Sequence, residues 1–397
     1  MRMNKRKILA IITSIFAMGL LASCSKKEEK IHIRVWETKN GVDQFIKEAA
    51  KIYSQEHPEI VVDYLNVGIN DMIPTLEKDG PAGIGADIIA SPHDNLGTLV
   101  SKKLVVPTEN AGQVSKKVLG ACSKALSYNG TMYGYPACAE TYALFYNKKL
   151  ISENQVPKSW EELIKWVQAF NRANPQKKGF VMDVTNAYYS ILFTTANGNR
   201  LYGESGTEAR NPGMNNPSSI KGLEFFQSLR SALNLEGIEL SSSTCDGLFS
   251  SGNAAMHITG LWNVSTFENA GIDFGVAPLP SLPGESKPAA SFSGTRGMFV
   301  TAFSEHPKEA SEFAEFLISP EMQKLRFKYT GVLPSINITV DSKYMKGFLQ
   351  QLDVAFPMPS IPAMGKFWGE MGGSLWRIWN GADVQKEMQE LNEKIKG

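Results

Sequence analysis

The stretch between residues 31 and 90 sets the tightest limit on what this chain can fold into. Ile31-His32-Ile33-Arg34-Val35-Trp36 alternates as a half-buried strand does. Phe45, Ala49, Ile52 and Tyr53 then fall at helical spacing, and Pro58 ends that pattern. Residues 60–65 form a β-rich run, residues 73–76 predict a further helix in spite of Pro74, and Ala86-Asp87-Ile88-Ile89-Ala90 reads as a short buried strand. Strands and helices alternating in this way build a layered α/β domain on a mainly parallel sheet.

A second zone of the same kind follows. Ser159-Trp160-Glu161-Glu162 opens a helix with a serine cap and acids in its first turn, and Leu163, Trp166, Val167 and Phe170 line one face. Gly179-Phe180-Val181-Met182 and Ala254-Ala255-Met256-His257-Ile258 read as strands, and residues 220–233 as an amphipathic helix. Residues 278–297 are rich in proline and glycine and read as a linker or crossover, before a strand at Gly297-Met298-Phe299-Val300-Thr301. Residues 384–395 close the chain as a helix. At 397 residues there is length for two or three domains with real cores.

The first residues address the protein. Arg2, Lys5, Arg6 and Lys7 precede an apolar run from Ile8 to Leu21, and Leu21-Ala22-Ser23-Cys24 follows. A basic start, a short greasy core and a small-residue cleavage site describe a secretory signal over residues 1–23. The run is short for a membrane span of ~20 residues. Leu-Ala-Ser-Cys resembles a bacterial lipobox, which implies cleavage before Cys24 and lipidation of its thiol. Residues 24–30 then read as a polar tether. Residues 1–23 carry four basic and no acidic side chains, so their loss takes the formal charge from +1 to −3. That balance gives no reason to expect nucleic acid. Of the remaining cysteines, Cys122, Cys138 and Cys245, an odd number, one must lack a partner within the chain. They read as buried small residues, with a single disulfide as the alternative.

The common signatures of catalysis are missing. The five histidines show no metal-helix spacing, and no HExxH, GxxxxGK[ST] or GxSxG is present. No cofactor or metal is called for. What stands out is aromatic: seven tryptophans, a residue type that pairs a flat apolar face with a polar edge and so suits a sugar ring.

Several fragments, taken in order, carry a family likeness: Gly85-Ala86-Asp87-Ile88-Ile89 with His93-Asp94; Tyr128-Asn129-Gly130 with Tyr135-Pro136; Glu140-Thr141-Tyr142 through Lys148; Phe313 to Leu317 with Ser319-Pro320-Glu321; and Ile361-Pro362 with Phe367-Trp368. Over residues 31–396 the chain resembles the extracellular solute-binding proteins of carbohydrate ABC importers, the maltose/maltodextrin binders in particular. The resemblance implies an α/β periplasmic-binding-protein fold of two domains with a ligand cleft between discontinuous lobes. The crossovers would lie near residues 138–142, 288–293 and 331–335. One lobe would then hold residues 31–139 and 293–332, the other residues 140–292 and 333–397. It further implies a monomer that takes a saccharide, closes on it and hands it to permease subunits, held at the membrane by its lipid.

By the same likeness Asp94 and Glu140 would accept sugar hydroxyls, and Tyr188, Trp262 and Trp368 would stack on sugar rings, with Tyr189 able to stand in for Tyr188. Trp36, at the end of the first strand, is a further candidate, and Trp160 is structural. The chain departs from the maltodextrin pattern at Asn95 (arginine there), Ser91 (tryptophan there), and Gly369 and Gly372 (tyrosine and arginine there). Residues 38–41 do not reproduce the family's polar pair. These changes point to a saccharide other than maltose. A glycerophosphodiester or peptide, with Arg296 as the arginine to watch, and a secreted glycoside-active enzyme built on Asp94 and Glu140 are the alternatives.

Overall fold

The computed structural model describes residues 30–39, 41–235 and 240–397. The signal segment, Cys24 and all of the tether except Lys30 lie outside the described residues.

The alternation expected from the sequence is present. Strand β1 (Ile31–Glu37) leads to helix α1 (Val42–Glu56), β2 (Ile60–Asn66), α2 (Met72–Asp79) and β3 (Ile88–Pro92). Pro74 is the third residue of α2, where a backbone N–H has no helical partner anyway, so the proline costs the helix nothing. A 13-residue strand, β4 (Tyr135–Asn147), follows. Then come α3 (Trp160–Ala173), β5 (Lys178–Val181), the short α4 (Ala187–Ser190), α5 (Pro217–Ala232), α6 (Ser242–Ser250), β6 (Ala254–Gly260) and β7 (Phe274–Ala277). The chain returns through β8 (Phe292–Val300), α7 (Pro320–Thr330), β9 (Phe356–Pro357), α8 (Met364–Trp379) and α9 (Val384–Lys394). The Ser159 side chain caps α3 by accepting from the Glu162 N–H at 3.2 Å, as its sequence signature predicts.

Among the described residues nine strands join in one sheet, in the order β2-β1-β3-β8-β4-β6-β5, with β9 beside β8 and β7 beside β4. β1 pairs in parallel with β2 and β3, but β8 runs antiparallel to β3 and β4, and β4 antiparallel to β6 and β7. The sheet is therefore mixed, where the sequence suggested a mainly parallel one. The reason is that β4 and β8 return through both halves of the molecule and were not part of the opening rhythm. Residues 292–297, read as linker, belong to β8. Its Pro/Gly-rich flank hid a run that is paired on both edges, with Thr295 and Arg296 buried.

β4 joins two lobes. Its first part pairs with β8, from Tyr135 opposite Met298 to Thr141 opposite Ser293; its second pairs with β6, from Tyr142 opposite Gly260 to Tyr146 opposite Met256. Apolar side chains segregate to match. Ile33, Val35, Phe45, Ile88, Phe313 and Met322 share one core, next to a smaller one containing Trp36, Met72, Leu76 and Phe299. Leu144, Phe145, Trp160, Phe226, Met256 and Phe367 belong to a third, larger core. Trp160 is fully buried there, as a structural residue should be. Cys122, Cys138 and Cys245 are buried free thiols.

Candidate functional site

At the end of β3, Pro92 leads into a single 3₁₀ turn, His93–Asn95. His93 is 2% exposed and pins this turn in place. Its Nδ1 accepts the Thr295 N–H from β8 at 3.1 Å, and its Nε2 donates to the Met358 carbonyl at 3.0 Å. Burial pushes its pKa down to about 4, so the ring is neutral. The next residue, Asp94, is thereby aimed at α8. Trp368 Nε1 donates to Asp94 Oδ2 at 2.7 Å, while Asp94 Oδ1 is buried with no partner. Burial pushes the Asp94 carboxyl up to about 6, with the Trp368 hydrogen bond and the backbone N–H groups of Asp94 and Asn95 pulling down and the charge of Glu140 pushing the same way as burial.

From Trp368 a line of rings runs into the larger lobe. Phe292 lies 6.1 Å from Trp368 between centroids, Tyr188 5.8 Å from Phe292, and Trp262 5.8 Å from Tyr188. Tyr142 backs Tyr188 at 5.0 Å, and Tyr189 lies nearly parallel to Trp262 at 6.3 Å. Asn186 caps α4 by accepting the Tyr188 N–H at 2.9 Å, which fixes that ring's origin. Trp262 depends on Gly260: a Cβ there would come within 2.1 Å of the indole ring, so only glycine lets the indole fold back over β6.

Beneath these groups is a buried ionic floor. Glu37, at the end of β1, has no exposed surface and is bound by Arg296 of β8. Arg296 Nε reaches the two carboxylate oxygens at 3.0 and 3.1 Å, its second guanidinium nitrogen also binds Oε1, and Arg326 of α7 lies 3.5 Å from Oε2. Burial pushes the Glu37 carboxyl up, but Arg296 and Arg326 outweigh it and hold it below its ordinary range. Half-buried Glu140, on β4, accepts a weak bond from the Cys138 thiol at 3.7 Å. Burial pushes its carboxyl up against the pull of the same two arginines.

The structure thus draws Asp94, Glu140, Tyr188, Trp262 and Trp368 into one neighbourhood. Trp36 is not part of it: at 2% exposure it lies in the core with Met72 and Leu76, so the candidate ligand role is corrected to packing. An odd-numbered step along a strand faces the opposite side, and Trp36 and Glu37 divide accordingly, the indole to the core and the carboxylate to Arg296. Sequence reading missed Phe292, the ring that links Trp368 to Tyr188, because it sat in the presumed linker. It also missed Glu37, the one acid in a strand whose other charged side chains, His32 and Arg34, are basic. At the departures from the maltodextrin pattern, Asn95 Nδ2 donates to Ser91 Oγ at 3.0 Å, and a Cβ on Gly369 would meet nothing within 4 Å. Among the described residues no three metal-ligating side chains cluster.

Two lobes bridged by one shared sheet, with a file of aromatic rings and two perturbed acids between them, define a protein that encloses a small polar solute. The chain belongs to the bacterial extracellular solute-binding protein family, whose model matches residues 48–346. It is 30% identical to the galactooligosaccharide-binding protein of Bacillus subtilis (strain 168) over 100% of this chain and 98% of that one. It is 27% identical to the maltooligosaccharide ABC transporter solute-binding lipoprotein of Streptococcus pneumoniae (strain ATCC BAA-255 / R6), over 83% of this chain and 79% of that one. The Thermus thermophilus maltotriose-binding protein bound with maltotriose superposes with a TM-score of 0.83 at 26% identity, covering 92% of this chain and 99% of that one. The two-lobed fold and the recognised family are those the sequence implied.

Proposed function

We propose that this protein captures a neutral saccharide between its lobes and delivers it to an ABC permease. One observation carries the reading: the partly buried rings of Trp262, Tyr188 and Trp368, backed by the core ring of Phe292, end on an aspartate with one oxygen bound and the other buried and free. Sugar C–H faces suit the rings, and a hydroxyl would supply the donor that Asp94 Oδ1 lacks. The relatives that bind galactooligosaccharide and maltooligosaccharide support the ligand class.

Arg296 argues against the anionic alternative, since Glu37 already occupies its guanidinium. In this reading Asp94 and Glu140 accept hydrogen bonds and perform no chemistry, and the sugar leaves intact. Crossovers near residues 138–142, 288–293 and 331–335 would let the lobes hinge, and a ligand touching both would favour the closed form. A diacylglyceryl group on Cys24 would keep the protein beside its permease outside the cytoplasmic membrane.

The test is a melting screen against mono- and oligosaccharides. A sugar at ~100 times its Kd adds ~2.7 kcal/mol of stability. Trp262→Ala and Trp368→Ala should each abolish that shift while the unliganded protein still folds; two variants that respond like the parent would refute the site. Recovery of the unaltered sugar by chromatography separates a binder from a hydrolase.

A further inference from the structure

Helix α8 carries a second tryptophan in line with Trp368. Trp376 stands eight residues further on, about 12 Å along the axis, and Gly372 is the residue between them on the same row of the helix surface. Trp376 is 59% exposed, more than any other tryptophan among the described residues. The space between the two indoles is clear. Cβ atoms on Gly365 and Gly369 would meet nothing within 4 Å, one on Gly373 only the far end of Arg377 at 3.4 Å, and one on Gly372 only the Thr185 carbonyl oxygen at 3.1 Å. Neither indole therefore reaches over Gly372.

The three charged side chains of α8 are all engaged with the C-terminal segment: Lys366 donates to the Lys396 carbonyl at 2.5 Å, Glu370 lies 3.2 Å from Lys394, and Arg377 lies 2.9 Å from Glu387. Glycines weaken a helix, and at Gly365 and Gly369 no neighbour excludes a side chain. Packing does not call for those two; an unobstructed floor between two flat rings does. One wall is the turn that opens α4, which sets the Thr185 carbonyl against Gly372 and carries Tyr188. At the Trp368 end Asp94, 5% exposed, keeps Oδ1 without a partner. The trough thus begins at a buried oxygen that lacks a donor and ends at a bare indole.

The geometry points to a trough along α8, from Asp94 and Trp368 to Trp376, that takes the outer rings of a neutral oligosaccharide and makes Trp376 the residue that rewards chain length. The inference rests on the reading of Trp368 and Asp94 as a sugar site. A separation of about 12 Å is more than one pyranose ring spans, so a monosaccharide on Trp368 leaves Trp376 bare and only a longer chain touches both indoles. A sugar C–H face laid on an exposed indole gains apolar contact and asks for no charged partner. Gly369 and Gly372 stand where the maltodextrin pattern has larger side chains, and as glycines they leave the path to Trp376 open.

Isothermal titration calorimetry with two ladders tests this: galacto-oligosaccharides and malto-oligosaccharides, each of two to six units, the classes named for two relatives. In a ladder that binds, affinity should rise with length. Trp376→Ala should lower the affinity of the longest member by roughly three- to tenfold and leave that of the shortest binder unchanged. Gly369→Gln fills the trough at a position where a Cβ meets nothing, in a helix that glutamine does not weaken, and should show the same length-selective loss. If Trp376→Ala lowers affinity alike at every length, or at none, the trough is overturned while saccharide capture stands. A parent protein that binds no member of either ladder also overturns the trough, and the melting screen then shows whether saccharide capture falls with it.

Discussion

Trp368 and Asp94 meet across the lobes: the indole N–H donates to Oδ2 at 2.7 Å and leaves Oδ1 without a partner in a buried setting. Hydrogen bonds to a charged acceptor contribute ~1.5–3 kcal/mol. Trp368→Phe keeps a ring and removes the donor. It should weaken binding of the sugar that the melting screen identifies by roughly tenfold or more, while the thermal midpoint of unliganded protein changes little. Isothermal titration calorimetry would show this; affinity equal to the parent's would mean that the contact contributes nothing to closure.

The raised pKa of Asp94 makes binding depend on pH. Relative to the unliganded closed cleft, a sugar hydroxyl donating to Oδ1 favours the ionised carboxylate, so the pKa of about 6 must fall on binding. Protonation competes with ligand below that value. Affinity should drop as the pH is lowered from 7 to 5, by at most about tenfold per pH unit, with protons released on binding near pH 6. Asp94→Asn should remove this dependence. Calorimetry in buffers of different ionisation enthalpy counts the protons, and an unchanged limb in Asp94→Asn would assign it to another group, Glu140 first.

The Glu37–Arg296–Arg326 floor should matter for stability. Removing one partner of a buried ion pair strands the other and costs ~3–5 kcal/mol. Arg296→Met should lower unfolding stability by that order. The double variant Glu37→Gln, Arg296→Met should lose less than the sum of the two single changes, because the second removes the charge the first leaves exposed to apolar surroundings. Urea unfolding of the four proteins completes the cycle; strict additivity would mean that the two side chains do not interact.

His93 gives a second pH effect, from the same burial but with its pKa moved in the opposite direction. Its folded-state pKa, about 4 against an ordinary 6.5, is depressed, so its contribution to stability is complete above pH 6.5 and disappears as the pH falls toward 4. The full loss is roughly 3 kcal/mol. Denaturation at pH 7 and pH 4.5 should show the decline in the parent protein and a shallower one in His93→Gln, which starts from lower stability. Parallel curves would remove His93 from the account.

The layered fold was readable because strand alternation and helical spacing are local, and the opening residues 31–90 obey both. Ser159 capped its helix as written. What escaped were relationships between distant residues. Only the second part of β8 reads as a strand; residues 292–296 read as linker because proline and glycine dominate their neighbourhood, although pairing with β3 and β4 decides their state. Phe292 was lost with them. Trp36 and Glu37 are adjacent in sequence, and only the partners they meet, a core on one side and Arg296 on the other, show which is packing and which is polar. Asp94 and Trp368 were each named from family likeness, but 274 positions separate them and nothing local announces their hydrogen bond.

Gly260 offers the sharpest test of the aromatic platform. Its missing side chain is what lets Trp262 lie where it does, since a methyl group would sit 2.1 Å from the ring. The indole, not the strand, should yield, because β6 is held by ladders to β4 and β5 on its two sides. Overpacking of this kind costs ~1–3 kcal/mol. Gly260→Ala should therefore fold, melt somewhat lower, and change tryptophan emission as Trp262 swings out. Because the ring would leave its place between Tyr188 and Tyr189, affinity for the sugar that the melting screen identifies should fall nearly as far as in Trp262→Ala, and combining the two substitutions should add almost nothing. A Gly260→Ala protein that binds as tightly as its parent would show that the position of Trp262 over β6 is incidental to recognition.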